Sequence, residues 1–279
     1  MAKKSNKQRA FLKWAGGKYA LVEQISGHLP EADVLVEPFV GAASVFLNTR
    51  YSRYMLNDIN ADLIHLYRLL QQHPTEIIAA AREYFTPTFN DKETYLGIRQ
   101  RFNSSVDATE RSALFLYLNR HCFNGLCRYN QRGEFNVPFG KYKKPYFPEA
   151  ELWFFAEKSQ QAEFTCLSYR DVFAQLPANS VVYCDPPYVP LSKTASFTAY
   201  AKNSFTLDDQ ADLALLAEQA QQQGHAVLIS NHDTSLTRRI YQGSELTAIQ
   251  VGRSISQKGA SRGKVGELFA YYSADVDSP

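Results

Sequence analysis

Three observations predict an α/β protein. Short apolar strands alternate with helical stretches, the pattern of a sheet with short strand-to-helix connections. Two of those strands end in tight turns of small residues or prolines. A helical block over about 61–143 interrupts the alternation and predicts an inserted domain. The expected organisation is a sheet domain over 1–60 and 144–279, with the mainly helical insert between its two parts.

Each element has a local reason. VLVEPF at Val34–Phe39 reads as a short buried strand, and the small residues Gly41-Ala42-Ala43-Ser44 follow it. The Ser44 hydroxyl suits the N-cap of a helix starting there. YMLND at Tyr54–Asp58 is a second strand ending in an acid. Asn60 suits the cap of a helix over Ala61–Gln72, with Leu63, Leu66, Tyr67 and Leu70 on one face and Pro74 after its end. Thr75 to Phe123 is helical in pattern, most clearly over Glu110–His121, where Leu114, Tyr117 and Leu118 form a stripe. Residues 124–148 are rich in Gly, Asn, Pro and aromatics and predict a structured loop or small hairpin. Later strands are expected at Phe164–Leu167, Ser180–Cys184, Ala226–Ser230, Leu246–Val251 and Glu267–Tyr272, with helices at Leu207–Gln223 and Thr234–Tyr241. SVVYC at Ser180–Cys184 is apolar on both faces, which predicts a central place in the sheet.

Composition narrows the function classes. The 279 residues are 45% hydrophobic and 21% charged, which is globular and excludes a mainly disordered chain. Four cysteines, Cys122, Cys127, Cys166 and Cys184, are too few for a disulfide scaffold, so reduced thiols in the cytoplasm are expected. They lack the partners of a zinc site, and the six histidines form no ligand-spaced pair, so no metal is expected. No apolar run reaches the ~18 residues of a membrane span. The basic start has no apolar segment behind it, unlike a secretory signal.

The net charge is only +2, but it is unevenly spread. Residues 1–20 carry Lys3, Lys4, Lys7, Arg9, Lys13 and Lys18 and no acid. Residues 115–145 carry Arg120, Arg128, Arg132, Lys141, Lys143 and Lys144 against Glu134 alone. Residues 251–264 carry Arg253, Lys258, Arg262 and Lys264, again without an acid. Such islands suit a polyanion-binding face, although solvated cationic loops would read the same way. The middle island is interleaved with Phe123, Tyr129, Phe135, Phe139 and Tyr142, a mixture that favours nucleic acid.

Three motifs carry chemistry. Asp185-Pro186-Pro187-Tyr188 follows the strand SVVYC, at the strand end where ligands of open α/β sheets bind. Two prolines fix φ and stiffen the turn. Asp185 and the Pro186 carbonyl are both acceptors, matched to the two hydrogens of an exocyclic amine such as adenine N6 or cytosine N4. Tyr188 offers a face for stacking the base, which must leave a duplex to reach it. The second motif is Phe39-Val40-Gly41-Ala42-Ala43, whose small residues let a cofactor approach the backbone; a compact turn would look alike. Asp58 suits ribose hydroxyls or the capping of the next helix. The third is Phe11-Leu12-Lys13-Trp14-Ala15-Gly16-Gly17-Lys18, a glycine turn flanked by a stacking surface and a cation, without the spacing of a Walker loop. Asn231-His232-Asp233 reads as turn and capping chemistry rather than a triad.

FLKWAGGK, VEPFVGAAS and DPPY, in this order and with a helical insert before the third, resemble the Dam family of DNA adenine-N6 methyltransferases. The resemblance covers nearly the whole chain, including HCFNGLCRYNQRGEFNVPFGKYKKPYFPEAEL. It implies a Rossmann-like S-adenosylmethionine-dependent methyltransferase sheet with an inserted, mainly helical target-recognition domain. The implied reaction is methyl transfer from S-adenosylmethionine to adenine N6 in GATC duplex DNA, by a monomer. By this likeness Trp14, Lys18, Phe39, Gly41, Asp58 and Asp185 serve the cofactor, and Asp185, Pro186 and Tyr188 the target adenine. Arg128 would read a guanine, Leu126 and Pro138 a thymine methyl group, and Lys13 and Tyr142 the outer guanine. Phe123, with Asn124 beside it, sits where the family places an intercalating aromatic. Arg99, Arg120, Asn130, Asn136 and Lys143 resemble contacts that position the DNA backbone. Two departures stand out: Ala43 replaces the last glycine of the family pattern PFxGxG, and Lys141 stands where some relatives carry Arg. From the residues alone, an N4-cytosine or RNA-adenine enzyme and a non-catalytic DNA-binding protein stay open.

Overall fold

The computed structural model describes residues 7–188, 205–250 and 266–274. The basic island at 251–264 lies outside the described residues, as do residues 1–6 and the end of the tail. By its contacts the chain divides into two units, residues 1–26 with 40–167 and residues 27–39 with 168–279. This partition follows contacts, not function; the segment 61–143 lies wholly within the first unit.

Among the described residues seven strands form one sheet: β1 (Val34–Glu37), β2 (Arg53–Asn57), β3 (Ala162–Thr165), β4 (Ser180–Cys184), β5 (Ala226–His232), β6 (Glu245–Gln250) and β7 (Gly266–Tyr272). Their order is β3-β2-β1-β4-β5-β7-β6. β1 with β4, β4 with β5 and β2 with β3 are parallel, while β7 runs antiparallel to both β5 and β6. The strand order reverses between β1 and β4, where the register pairs Val36 with Val182. β4 is buried along its whole length, as its two-sided apolar sequence predicts.

The helices are α1 (Val22–His28), α2 (Ala61–Gln72), α3 (Pro74–Arg82), α4 (Lys92–Ser104), α5 (Ala108–His121), α6 (Glu149–Lys158), α7 (Tyr169–Phe173), α8 (Leu207–Gln222) and α9 (Ser235–Ile240). Asn60 caps α2 as expected, its side chain accepting from the Leu63 amide. Pro74 does not simply follow a helix end: it is the first residue of α3, where its missing N–H costs nothing. α5 is buried all round from Ser112 to Asn119 because it packs against α2, α3 and α4.

The helix expected from Ser44 does not form; a short 3-10 turn at Phe46–Asn48 stands there instead, and Ser44 is not its cap. Side chains take the carbonyls that a longer helix would use. Asn48 Nδ2 donates to the carbonyls of Ser44 and Gln8 at 2.8 and 2.9 Å, and the Thr49 hydroxyl donates to Val45 at 2.9 Å.

α2 also closes the outer strand of the first unit. Arg68 donates through Nε and Nη2 to the Phe164 carbonyl, the former at 3.1 Å, and Gln71 donates to the Ala162 carbonyl at 2.8 Å.

Candidate active site and nucleic-acid interface

Within the second unit, the Asp-Pro-Pro-Tyr corner leaves β4 at the point where the strand order reverses. The Asp185 carboxylate is partly exposed and Pro186 is buried. The Ser230 hydroxyl, on β5, donates to Asp185 Oδ1 at 3.2 Å and lies 2.9 Å from the Tyr183 hydroxyl. Gln210, buried on α8, donates to the Pro187 carbonyl at 2.8 Å. Its own oxygen accepts from Asn231 Nδ2 at 3.0 Å and from the Tyr241 hydroxyl. Both ends of the proline corner are thus fixed by buried polar side chains. Tyr188 donates its hydroxyl to Glu267 on β7, and His232 meets its ring edge-on at 4.7 Å between centroids. Burial, and then the nearby Asp185 charge, push the Tyr188 phenol far above its ordinary range, so it keeps its proton. Phe39 packs against Tyr169 and Phe205, each at 5.6 Å between centroids.

Asn231 and His232 are the last residues of β5 and Thr234 is the cap of α9, so the turn-and-capping reading of Asn231-His232-Asp233 is corrected; the three face different partners, Gln210, Tyr188 and Arg238, the last an ion pair at 2.6 Å, and form no triad. Sequence reasoning missed Gln210, Ser230, Glu267, Tyr169 and Phe205. Gln210 had a signal. It occupies the buried stripe of α8 with Leu213, Ala214 and Ala217, and a polar residue there must bond something.

In the first unit, Asp58 ties the glycine turn to the start of α2. Its Oδ2 accepts from the Gly41 amide at 3.0 Å and its Oδ1 from the Asn60 amide at 2.9 Å. Burial raises the Asp58 pKa, and the Asn60 and Gly41 amides oppose that rise. Asp58 is not itself the cap of α2, which is Asn60, but it braces that cap through the Asn60 amide, and each carboxylate oxygen retains lone-pair capacity. Gly41 has φ +46°, and a Cβ there would lie 2.9 Å from Trp14 Nε1. The Tyr67 hydroxyl donates to the Gly41 carbonyl at 2.5 Å. Lys18 is buried and donates to the Gly16 carbonyl at 2.9 Å.

Ala43, the departure from the family pattern, holds the left-handed conformation that glycine would take, with φ 60°, and is fully buried. Ala43→Gly would relieve about 1–2 kcal/mol of strain, against about 0.5–1 kcal/mol of added chain freedom and ~0.8 kcal/mol for the lost methyl. The expected change in urea-unfolding stability is therefore within about 0.8 kcal/mol of zero. The same change at buried Ala113, inside α5, should cost about 1 kcal/mol or more.

The segment after α5 is a loop held by isolated bridges, Cys122 with Phe139 and Tyr129 with Phe135. Its candidate contacts divide by exposure. Phe123, Asn124, Arg128, Pro138, Lys141 and Lys143 are exposed; Leu126, Asn130, Asn136 and Tyr142 are partly so. Arg128 donates Nε to Asn136 Oδ1 at 2.7 Å, which fixes the guanidinium plane and leaves donors over. Asn130 caps the Arg132–Glu134 turn, accepting at 2.9 and 3.0 Å. Lys13 Nζ sits 3.7 Å from the Tyr142 ring centroid, and the Tyr142 hydroxyl accepts from the Asn124 amide at 3.0 Å. Lys13 is also pinned by its backbone, bonded both ways to Asn119 at 2.9 and 2.7 Å. Arg99 donates to the Val137 carbonyl at 3.1 Å, and Arg120 to the Tyr146 and Phe11 carbonyls at 3.1 and 3.4 Å. Those two arginines serve the loop's own shape first.

His121, below this loop, stacks on Tyr117 at 3.9 Å between centroids. Burial holds its imidazole down at about 4. The folded chain thus refuses a proton that the unfolded chain accepts below ~6.5. Stability should therefore fall as pH drops from about 6.5 towards 4, by on the order of 2–3 kcal/mol. Urea unfolding at pH 7 and at the low end of that window checks this, and His121→Phe should remove most of the difference.

A mostly parallel sheet with β7 antiparallel between β5 and β6, carrying this corner at the end of β4, defines a Rossmann-like methyltransferase. Residues 14–255 match the D12 class N6 adenine-specific DNA methyltransferases, and the chain belongs to that family. It is 61% identical over 273 residues to a DNA adenine methylase of Vibrio cholerae serotype O1, covering 98% of this chain and 99% of that one. It is 60% identical over 273 residues to a DNA adenine methylase of Escherichia coli K12, covering 98% of each chain. A Serratia marcescens DNA adenine methylase is 57% identical over 267 residues, 95% of this chain and 99% of that one. The chain is an adenine-specific DNA methyltransferase, so N6 of adenine in DNA is the amine its family modifies. Among the described residues no helix is long and apolar enough to cross a membrane.

Proposed function

We propose that this enzyme moves the methyl group of S-adenosylmethionine to adenine N6 within GATC duplex DNA, on a base turned out of the stack. The observation that carries the reading is the Asp185-Pro186-Pro187 corner, braced by Ser230 and Gln210 at the end of a fully buried strand. A carboxylate and the Pro186 carbonyl there supply two acceptors for the two N6 hydrogens. An adenine paired in a duplex cannot offer its amine to such a corner, which is the reason for extrusion.

S-adenosylmethionine, when bound, supplies an electrophilic sulfonium methyl. The first unit's turn suits such a group: Gly41 lets the Trp14 indole lie against the turn, where a Cβ would come within 2.9 Å of its Nε1, and Asp58 has lone pairs left for ribose hydroxyls. Trp14, Lys18, Phe39, Gly41 and Asp58 would hold it, with Asp185. Held there, the donor would offer its methyl group to the N6 lone pair, with the thioether as the leaving group. Asp185 accepts a hydrogen bond that strengthens while nitrogen becomes positive, and the surplus proton passes to water. Tyr188, kept neutral, offers the adenine a stacking face.

On the DNA side, Arg128 with its fixed plane would read guanine O6 and N7. Leu126 and Pro138 would meet a thymine methyl, Lys13 and Tyr142 the outer guanine. Phe123, 49% exposed, would fill the space left by the extruded base, beside Asn124. Arg99, Arg120, Asn130, Asn136 and Lys143 would set the backbone register, and a monomer would suffice. Methyl incorporation measured on GATC duplex, a scrambled duplex and single-stranded RNA tests the reading. Incorporation confined to the first supports it; equal incorporation into the scrambled duplex would remove the sequence assignment.

A further inference from the structure

The recognition segment is bonded to the first turn of α2 at two points. Asn60 Nδ2 donates to Cys127 Sγ at 3.3 Å, and the Tyr129 hydroxyl donates to Asp62 Oδ2 at 2.7 Å. Arg111, on α5, grips both Asp62 oxygens at 2.6 and 3.2 Å and fixes that acceptor in place. The Cys127 thiol and Tyr129 hydroxyl lie 3.9 Å apart, so the two links form one patch. Burial pushes the Cys127 thiol up to about 12, so it stays protonated and inert.

The same turn of α2 is bonded to the cofactor side. The Asn60 amide donates to Asp58 Oδ1, and Asp58 Oδ2 takes the Gly41 amide. Asn60 is therefore shared: its side chain meets the recognition segment and its amide meets Asp58. Asp62 sits two residues on, with Tyr129 as a ligand. A displacement of the segment that carries Cys127 and Tyr129 must pull on the acid that shapes the glycine turn.

We infer that Cys127 and Tyr129, two residues of the DNA-reading segment, are positioning residues for the methyl donor, so that donor and duplex strengthen each other's binding. The inference rests on the function proposed above. Cys127 acts on Asp58 through Asn60, and Tyr129 holds the same helix turn in place through Asp62. By linkage, whatever factor the duplex adds to donor-site affinity, a donor-site ligand adds to duplex affinity.

Calorimetry with S-adenosylhomocysteine as the probe, with and without a short GATC duplex, tests the link. In the unmodified chain the duplex should tighten probe binding at least about fivefold. Tyr129→Phe removes only the hydroxyl and keeps the ring against Phe135, at 5.8 Å between centroids. It should cut that factor to about twofold or less, as should Cys127→Ala, with each single-ligand affinity changed far less. A merely structural role would lower Tm and leave the factor intact, and that result overturns the inference. So does an unmodified chain that binds both ligands with no mutual effect. An unmodified chain that fails to bind either the probe or the duplex overturns the proposed function itself, and this inference with it.

Discussion

Asp185→Ala is expected to lower methyl-transfer turnover by about 10²–10³-fold or more, while duplex affinity stays within a factor of about two. The size follows from the role proposed above for this side chain. As the N6 nitrogen gains the methyl group it becomes positive, and a fixed carboxylate in a partly desolvated corner stabilises that charge far better than water does. Alanine removes the acceptor and leaves the Pro186 carbonyl alone. The fold should survive. Ser230, which loses Asp185, still has the Tyr183 hydroxyl at 2.9 Å and the Cys184 carbonyl at 3.4 Å. Gln210 keeps hold of the Pro187 carbonyl. Asp185→Asn keeps an oxygen acceptor but loses the charge, so its loss should be smaller. Single-turnover transfer of radiolabelled methyl to a GATC duplex, paired with fluorescence anisotropy for binding, measures both quantities. Ordinary turnover in Asp185→Ala would remove the corner from the chemistry.

Gly125→Ala should cost several kcal/mol locally and weaken duplex binding by at least about tenfold. Gly125 has φ +63°, and a Cβ there would lie 2.2 Å from the Lys13 Cβ and 2.8 Å from its Cδ. Left-handed backbone costs alanine about 1–2 kcal/mol, and overpacking adds about 1–3 kcal/mol. Lys13 cannot simply step aside. Its amide and carbonyl are both bonded to buried Asn119, and its ammonium lies over Tyr142. The loop must therefore move, carrying Phe123 and Asn124 with it. Differential scanning calorimetry and a duplex titration check the two effects. A variant with unchanged Tm and unchanged affinity would show that the loop yields freely here.

Much of this was legible from local patterns. β4 showed as SVVYC because a strand covered on both faces carries no polar alternation. α2 and its Asn60 cap showed because capping chemistry is local. The helix at Ser44 failed because Asn48 and Thr49 use their side chains on the same carbonyls, a competition that propensity does not reveal. The stripe read on α5 understated its burial, since three neighbouring helices cover it. At the corner, the motif residues were visible but their supports were not. Ser230 and Glu267 lie far along the chain from Asp185 and Tyr188, and only strand pairing brings them near. Arg99 and Arg120 resemble DNA-backbone contacts in the sequence, yet both spend donors on carbonyls of their own chain, which the sequence pattern does not reveal.

The carbonyls of the outer strand β3 are already engaged by Arg68 and Gln71. An outer strand with open acceptors is a template on which another chain can extend the sheet. Here α2 occupies two of those positions with long polar side chains, so strand addition along this border would first have to displace a charged guanidinium. That arrangement guards this border against edge-to-edge polymerisation.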